Sequence, residues 1–199
     1  MKKLLAFMAV ALLASGAMAQ IDPDADGMGV YFDMGATEVC ASTVAPFQQI
    51  VAYLCITNPS ASAGVSGWEA YVTVTGGVVA GAWTLSAGLD VDPSAEGFQV
   101  GIGTGGLALP AAPSVVLATY SAFVQAAGGE VAFYCEGVPG STSFDGTPGY
   151  AGGSDAGDLR ACQVSSGTGL GLPVARVNGD CDIVANEDMT FSNVKALFR

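Results

Sequence analysis

FQQIVAYLCITNPSASAGVSGWEAYVTVT, residues 47–75, holds two alternating runs separated by a loop of Asn, Pro, Ser, Ala and Gly. In the first run Ile50, Ala52, Leu54 and Ile56 alternate with Val51, Tyr53, Cys55 and Thr57. In the second, Trp68, Ala70, Val72 and Val74 alternate with Glu69, Tyr71, Thr73 and Thr75. A period of two suits strands with one buried and one wetter face. The two runs are read as one sheet unit that buries Trp68, Val72 and Val74 with Ile50, Leu54 and Ile56, and leaves Glu69 on the wetter side.

Outward from this pair the pattern stays β-like. Short strands are expected at 30–33, 78–85, 98–102, 159–164 and 172–178, with turn residues between most of them. The runs SVVLATYSAF (114–123) and EVAFYCE (130–136) flank VQAAGG and read as a hairpin whose glycines supply the turn. The segment 137–158, rich in Gly, Ser and Pro, reads as the longest irregular stretch. Many short strands at short spacing point to an all-β, antiparallel β-sandwich of jelly-roll or Ig-like type. One short C-terminal helix is expected in DMTFSNVKALFR, where Val194, Leu197 and Phe198 share a helical face and Lys195 and Arg199 suit the C-terminal end.

The first nineteen residues, MKKLLAFMAVALLASGAMA, have the charged, apolar and A-x-A order of a secretory signal peptide. Their apolar core is short of the roughly 20 residues a membrane-spanning helix needs. Cleavage leaves Gln20 as the new N-terminus and residues 20–199 as a single β-sandwich domain, exported to the cell surface, the periplasm or the medium. No later stretch reads as a membrane span. Six Lys and Arg against eighteen Asp and Glu give a net charge of -12, which argues against nucleic acid and anionic membranes as partners.

The sequence contains no histidine, which removes Ser-His and Cys-His nucleophile pairs and the usual zinc sites. GIGTGG at 101–106 lacks the lysine and the strand–helix setting of a phosphate loop. A carboxylate-dependent glycoside hydrolase needs only two acids, and Glu69 beside Trp68 is the acid to watch. Asp22, Asp24 and Asp26, followed by Gly27 and then Asp33, match the alternate carboxylates and turn glycine of a calcium loop. Calcium is the one cofactor this motif raises, as the alternative to a solvated acidic N-terminus, which is the reading preferred. Five cysteines in a chain with a leader indicate disulfides. The expected pairs are Cys40 with Cys181 and Cys135 with Cys162, leaving Cys55 as a buried thiol.

In the segments YFDMGATEVC, AYLCITNPS, GWEAYVTV, PVARVNGDC and FSNVKALFR the chain resembles secreted bacterial β-sandwich proteins, and its strand order is similar to cohesin-like and carbohydrate-binding modules. The resemblance implies a sandwich that works by binding, and it transfers no site residue. The function expected first is a secreted, non-catalytic structural or interaction module whose partner is a protein or glycan at the cell surface. A carbohydrate-binding module is the alternative, with Tyr71, Trp83 or Tyr150 as stacking platforms, and a glycoside hydrolase a more distant one.

Overall fold

Strands that are apolar on one face must cover that face, and two sheets packed together do so. The computed structural model, which describes residues 23–164 and 170–180, is built in this way. Its strands are β1 (Gly27–Tyr31), β2 (Cys40–Ala41), β3 (Gln48–Thr57), β4 (Val65–Gly76), β5 (Val78–Leu85), β6 (Leu89–Asp90), β7 (Gly97–Gly101), β8 (Ser114–Val124), β9 (Val131–Glu136), β10 (Gly149–Gly152), β11 (Leu159–Ala161), β12 (Gln163–Val164) and β13 (Ala175–Val177). The first sheet runs β12-β1-β3-β8-β5. The second runs β11-β10-β4-β9-β13-β2, with β7 on the other edge of β4 and β6 beyond it. Pairing is antiparallel except for β1 with β12 and β13 with β2.

The all-β sandwich expected from the sequence is therefore the fold. Ile50, Leu54, Ile56, Trp68 and Val72 are buried, and Val74 is partly so. Two connections differ from expectation. The runs of residues 47–75 are not neighbours in one sheet: β3 lies between β1 and β8, and β4 belongs to the opposite sheet. Likewise β8 and β9 are an arch between sheets, not a hairpin, because β8 is already paired on both edges by β3 and β5. The strand expected from 30 begins at Gly27, and β10 lies inside the stretch read as irregular. The expected leader and C-terminal helix lie outside the described residues. Among the described residues no helix is long and apolar enough to cross a membrane.

A file of aromatic rings joins the two sheets through the core. Trp68 meets Phe98 at a centroid distance of 5.4 Å, Phe98 meets Trp83 at 6.0 Å, and Trp83 meets Tyr120 at 5.0 Å. Tyr120 then packs edge-on against Phe133 at 5.5 Å, and Phe133 against Phe32 at 5.9 Å. Such pairs each add about 0.5–1.5 kcal/mol beyond the area they bury. Trp83, expected as an exposed stacking platform, is instead a link in this file.

One detail of the second sheet shapes its surface. Strands β9 and β10 lie end to end along the same edge of β4, with Glu136 beside Tyr71 and Gly149 beside Glu69. The chain between them, residues 137–148, leaves the sheet as an Ω-loop and returns. Its neck is tight: a Cβ on Gly137 would lie 2.4 Å from the Gly146 carbonyl carbon. Phe144 is buried with its ring against Gly149, where a Cβ would fall 2.4 Å from ring carbons.

Candidate functional site

The outer face of the second sheet carries two clefts, one on each side of this loop. In β4 the outward residues are Gly67, Glu69 and Tyr71, and across from them in β7 stand Gly101, Gln99 and Gly97. Alternation places Glu69 outward as the sequence indicates, but the loop covers it. Its side chain is buried, with Oε1 accepting a hydrogen bond of 2.6 Å from the Ser141 hydroxyl. The expectation of a solvated strand residue is thus corrected by a loop that begins 68 positions later in the chain. The first cleft, about 250 Å³, has a floor of Gly67, Gly101 and Ala151, with Phe144 and Ser143 forming one wall. The second, about 470 Å³, lies between Tyr71, the turn at Asp92 and Pro93, and the loop residues Pro139 and Ser141. Gln99 lines both. The sequence reading passed over Gln99, because nothing in β7 marks it until the partner strand is known.

The outer face of the first sheet is different in kind. Gln49, Phe123 and Val79 form one cross-strand row over β3, β8 and β5; Val51, Ser121 and Ala82 form the next, and Tyr53, Thr119 and Thr84 the third. None of the nine is charged. Val51, Val79 and Phe123 are each 37–38% exposed, and Phe47, just before β3, is 61% exposed. Gln49 Nε2 donates to the Ser121 hydroxyl at 3.0 Å, which ties the middle of the grid together.

Of the carboxylates of the expected calcium loop, Asp26 and Asp33 do not converge. Asp26 and Asp33 stand beyond opposite ends of β1, roughly 15 Å apart at ordinary strand rise, whereas calcium ligands lie about 2.3–2.6 Å from one ion. Both are committed elsewhere. Asp33 Oδ1 accepts from the backbone N–H groups of Thr37 and Glu38, and Oδ2 from the Gly35 N–H and the Thr37 hydroxyl, so it organises its own loop. Asp26 Oδ1 accepts from the Tyr150 phenol and the Ser60 N–H, and Oδ2 from the Ser60 hydroxyl. Asp24 is exposed, its carbonyl accepting from Asn58 Nδ2, and Asp22 lies outside the described residues. Among the described residues no group of three or more Cys, Asp or Glu is placed to hold a metal ion.

Asp26 instead centres a polar staple that sequence reasoning did not see. Burial pushes its carboxyl up, but the hydrogen bonds from Ser60 and Tyr150 and the charge of Arg160 outweigh that and hold it below the ordinary value. Tyr150, expected as a stacking platform, is fully buried, and its phenol is pushed up to about 12 by burial and by Asp26. Arg160 donates to the Ser60 hydroxyl and pairs with Asp158 at 2.9 Å. The staple holds the start of β1 to β10 and β11, and neither Asp26 nor Tyr150 lines either of the two clefts above. Of the three aromatics read as platforms, Tyr71 alone lines one of these clefts.

Cys40 is disulfide-bonded, and its expected partner, Cys181, lies outside the described residues. The second expected bridge is not present: Cys135 and Cys162 are both free, buried thiols, as is Cys55. The register explains this. Cys135 pairs with Val72 on β4, while Cys162 lies one strand further out, beside Pro148 near the level of Ala70. Such a diagonal offset is about 7–8 Å, beyond the roughly 4.4–6.8 Å Cα separation of a disulfide. Burial pushes the Cys55 and Cys135 thiols up to about 12 and raises Cys162 as well, so all three stay protonated and unreactive near neutrality.

No protein-family model and no curated protein matches the chain. Among solved structures it is similar to the sixth cohesin of scaffoldin B from Acetivibrio cellulolyticus, crystallised in complex with a mutant Cel5 dockerin. The likeness covers 78% of this chain and 99% of that one, at 13% identity and a TM-score of 0.45. What that cohesin binds is a property of that cohesin.

Proposed function

We propose that the protein is an exported, non-catalytic interaction module that meets a protein partner through the outer face of its first sheet. The observation that carries this is the uncharged grid of β3, β8 and β5, exposed on a chain of net charge -12. Interface cores are depleted of charge and enriched in aromatics, and Tyr53 and Phe123 stand in the grid. Bringing this face against a partner desolvates no ion, which is where association most often loses free energy. At ordinary strand spacing the grid measures about 10 by 14 Å, the centre of a contact whose standard size is about 800 Å² per partner. The chain's net charge of -12 favours a partner whose own apolar patch is rimmed by basic residues. Against a catalytic reading stand the absence of histidine and the setting of Glu69, which is bound to Ser141 and faces Gln99, not a second acid, across the strand pair.

Export rests on the leader, and intact mass of the released protein is expected to begin at Gln20; a retained Met1 in that fraction would contradict it. The binding face is tested by Ser121→Arg, which places a charge at the grid's centre on the outer face of β8. Saturable binding of the labelled mature protein to the producing cell's envelope fraction is expected to weaken about tenfold or more, with the melting temperature unchanged. Saturable binding indifferent to this substitution would overturn the assignment of the face.

A further inference from the structure

From the opposite face we infer a second site: the smaller cleft is a pocket for the ammonium end of an alkyl chain, as an exposed lysine of a protein or peptide presents it. This goes beyond the proposed binding face and shares no residue with it. Small residues make the cleft. In register across the outer face, Ala151 of β10, Gly67 of β4 and Gly101 of β7 form one row, with Leu159 of β11 at one end and Leu89 of β6 at the other. Three residues without bulk between two leucines leave a trough about 10 Å long at ordinary strand spacing, and a Cβ on Gly101 would meet nothing within 4 Å. The Ω-loop raises a wall beside it through Ser143 and the buried Phe144. The volume of about 250 Å³ is below the roughly 300–1,000 Å³ of sites that enclose a whole drug-sized ligand. It suits one inserted side chain.

The next row supplies the charge, with Glu69 and Gln99 facing each other across β4 and β7. Glu69 is only 7% exposed; its Oε1 is taken by Ser141, and its Oε2 makes no hydrogen bond among the described residues. A carboxylate oxygen held out of water without a donor is costly, and no Lys or Arg lines the cleft to supply one. A cation brought by the ligand removes that cost. Gln99 adds an amide oxygen that accepts a second N–H. One free carboxylate oxygen also chooses between cations. A guanidinium makes its strong contact as a fork on both oxygens, whereas an ammonium needs one and turns its other N–H groups to Gln99 and water. The methylene stem then lies in the trough against Leu159 and Phe144, covering apolar carbon while the head reaches the acid.

NMR titration of the isotope-labelled mature protein tests this, read at the amides of Gly67 and Gly101 and the side-chain amide of Gln99. The ligands are lysine, norleucine and arginine with both backbone ends blocked, and butylamine. Saturable shifts are expected with blocked lysine at millimolar concentration, with norleucine, which lacks the ammonium, about tenfold or more weaker and arginine weaker than lysine. Glu69→Gln, which keeps an acceptor for Ser141 and removes the charge, is expected to weaken lysine binding about tenfold or more. Gly101→Leu, which fills the trough from an exposed strand end and leaves the acid in place, is expected to do the same. Ser121→Arg, on the other sheet, is expected to change nothing here, so failure of this site and failure of the protein-binding face are read separately. No saturable binding of blocked lysine, equal binding of norleucine or arginine, or binding indifferent to both Glu69→Gln and Gly101→Leu would overturn the proposal. Binding of butylamine without blocked lysine would also overturn it, by assigning the pocket to a free amine.

Discussion

Leu54→Ala is expected to lower the unfolding free energy by about 3 kcal/mol, measured as a shift of the urea midpoint at constant slope. Leu54 is fully buried in β3, paired with Val30 of β1 on one side and Ala118 of β8 on the other. Small neighbours in a strand ladder cannot swing in to fill the space, so most of the cavity should persist. Val51→Ala, three positions earlier on the outer face of the same strand, removes a partly exposed side chain and should cost less than about 1 kcal/mol. Equal losses at the two positions would mean that the faces of β3 are assigned wrongly, and with them the grid that the proposed function uses.

Asp26→Asn is expected to cost about 2 kcal/mol at neutral pH, the scale of a hydrogen bond to a charged acceptor. An amide in place of the carboxylate can accept on one side only, so either the Ser60 hydroxyl or both the Tyr150 phenol and the Ser60 N–H lose their acceptor. The pH dependence separates this from simple loss of packing. The folded carboxyl lies below its ordinary value of 3.8, so its contribution is complete above the unfolded value and is lost as pH falls through the folded one. The gap between the native protein and Asp26→Asn should therefore shrink below about pH 4. A gap that persists unchanged into strong acid would show that the staple acts by shape and not by charge.

Alternation along 47–75 told which side chains of β3 and β4 face the core, because a pleated strand fixes the face from sequence alone. It does not tell which strands are neighbours, since hairpins and arches have the same period; hence β3 with β4, and β8 with β9, look like partners in the sequence and lie in opposite sheets in the fold. Alternation also fails at Cys55 and Thr57, which are buried although they share the face of exposed Val51, because at that end of the sheet both faces are covered. Strand β10, GYAG, lacks the bulk and branching that advertise a strand and is held by its register on β4. The candidate site was less legible still. Asp26 looked like a metal ligand because its real partner, Tyr150, lies 124 positions away. Glu69 looked solvated because the loop that covers it is equally invisible to local pattern. Tyr71 faces outward, as its place in the alternation of β4 indicates, and lines the larger cleft.

The proposed function turns on one face of the first sheet, and site-specific photo-crosslinking reads that face directly. A photoreactive side chain at position 121, at the centre of the grid, is compared with one at position 75, the exposed Thr75 of β4 in the second sheet. Each mature protein is irradiated with the envelope fraction of the producing cell, with and without excess unlabelled protein. The account predicts a single adduct from position 121, lost to unlabelled native protein but not to the Ser121→Arg variant, and none from position 75. Equal adducts from both positions, or none from position 121 where the envelope is saturably bound, would contradict it.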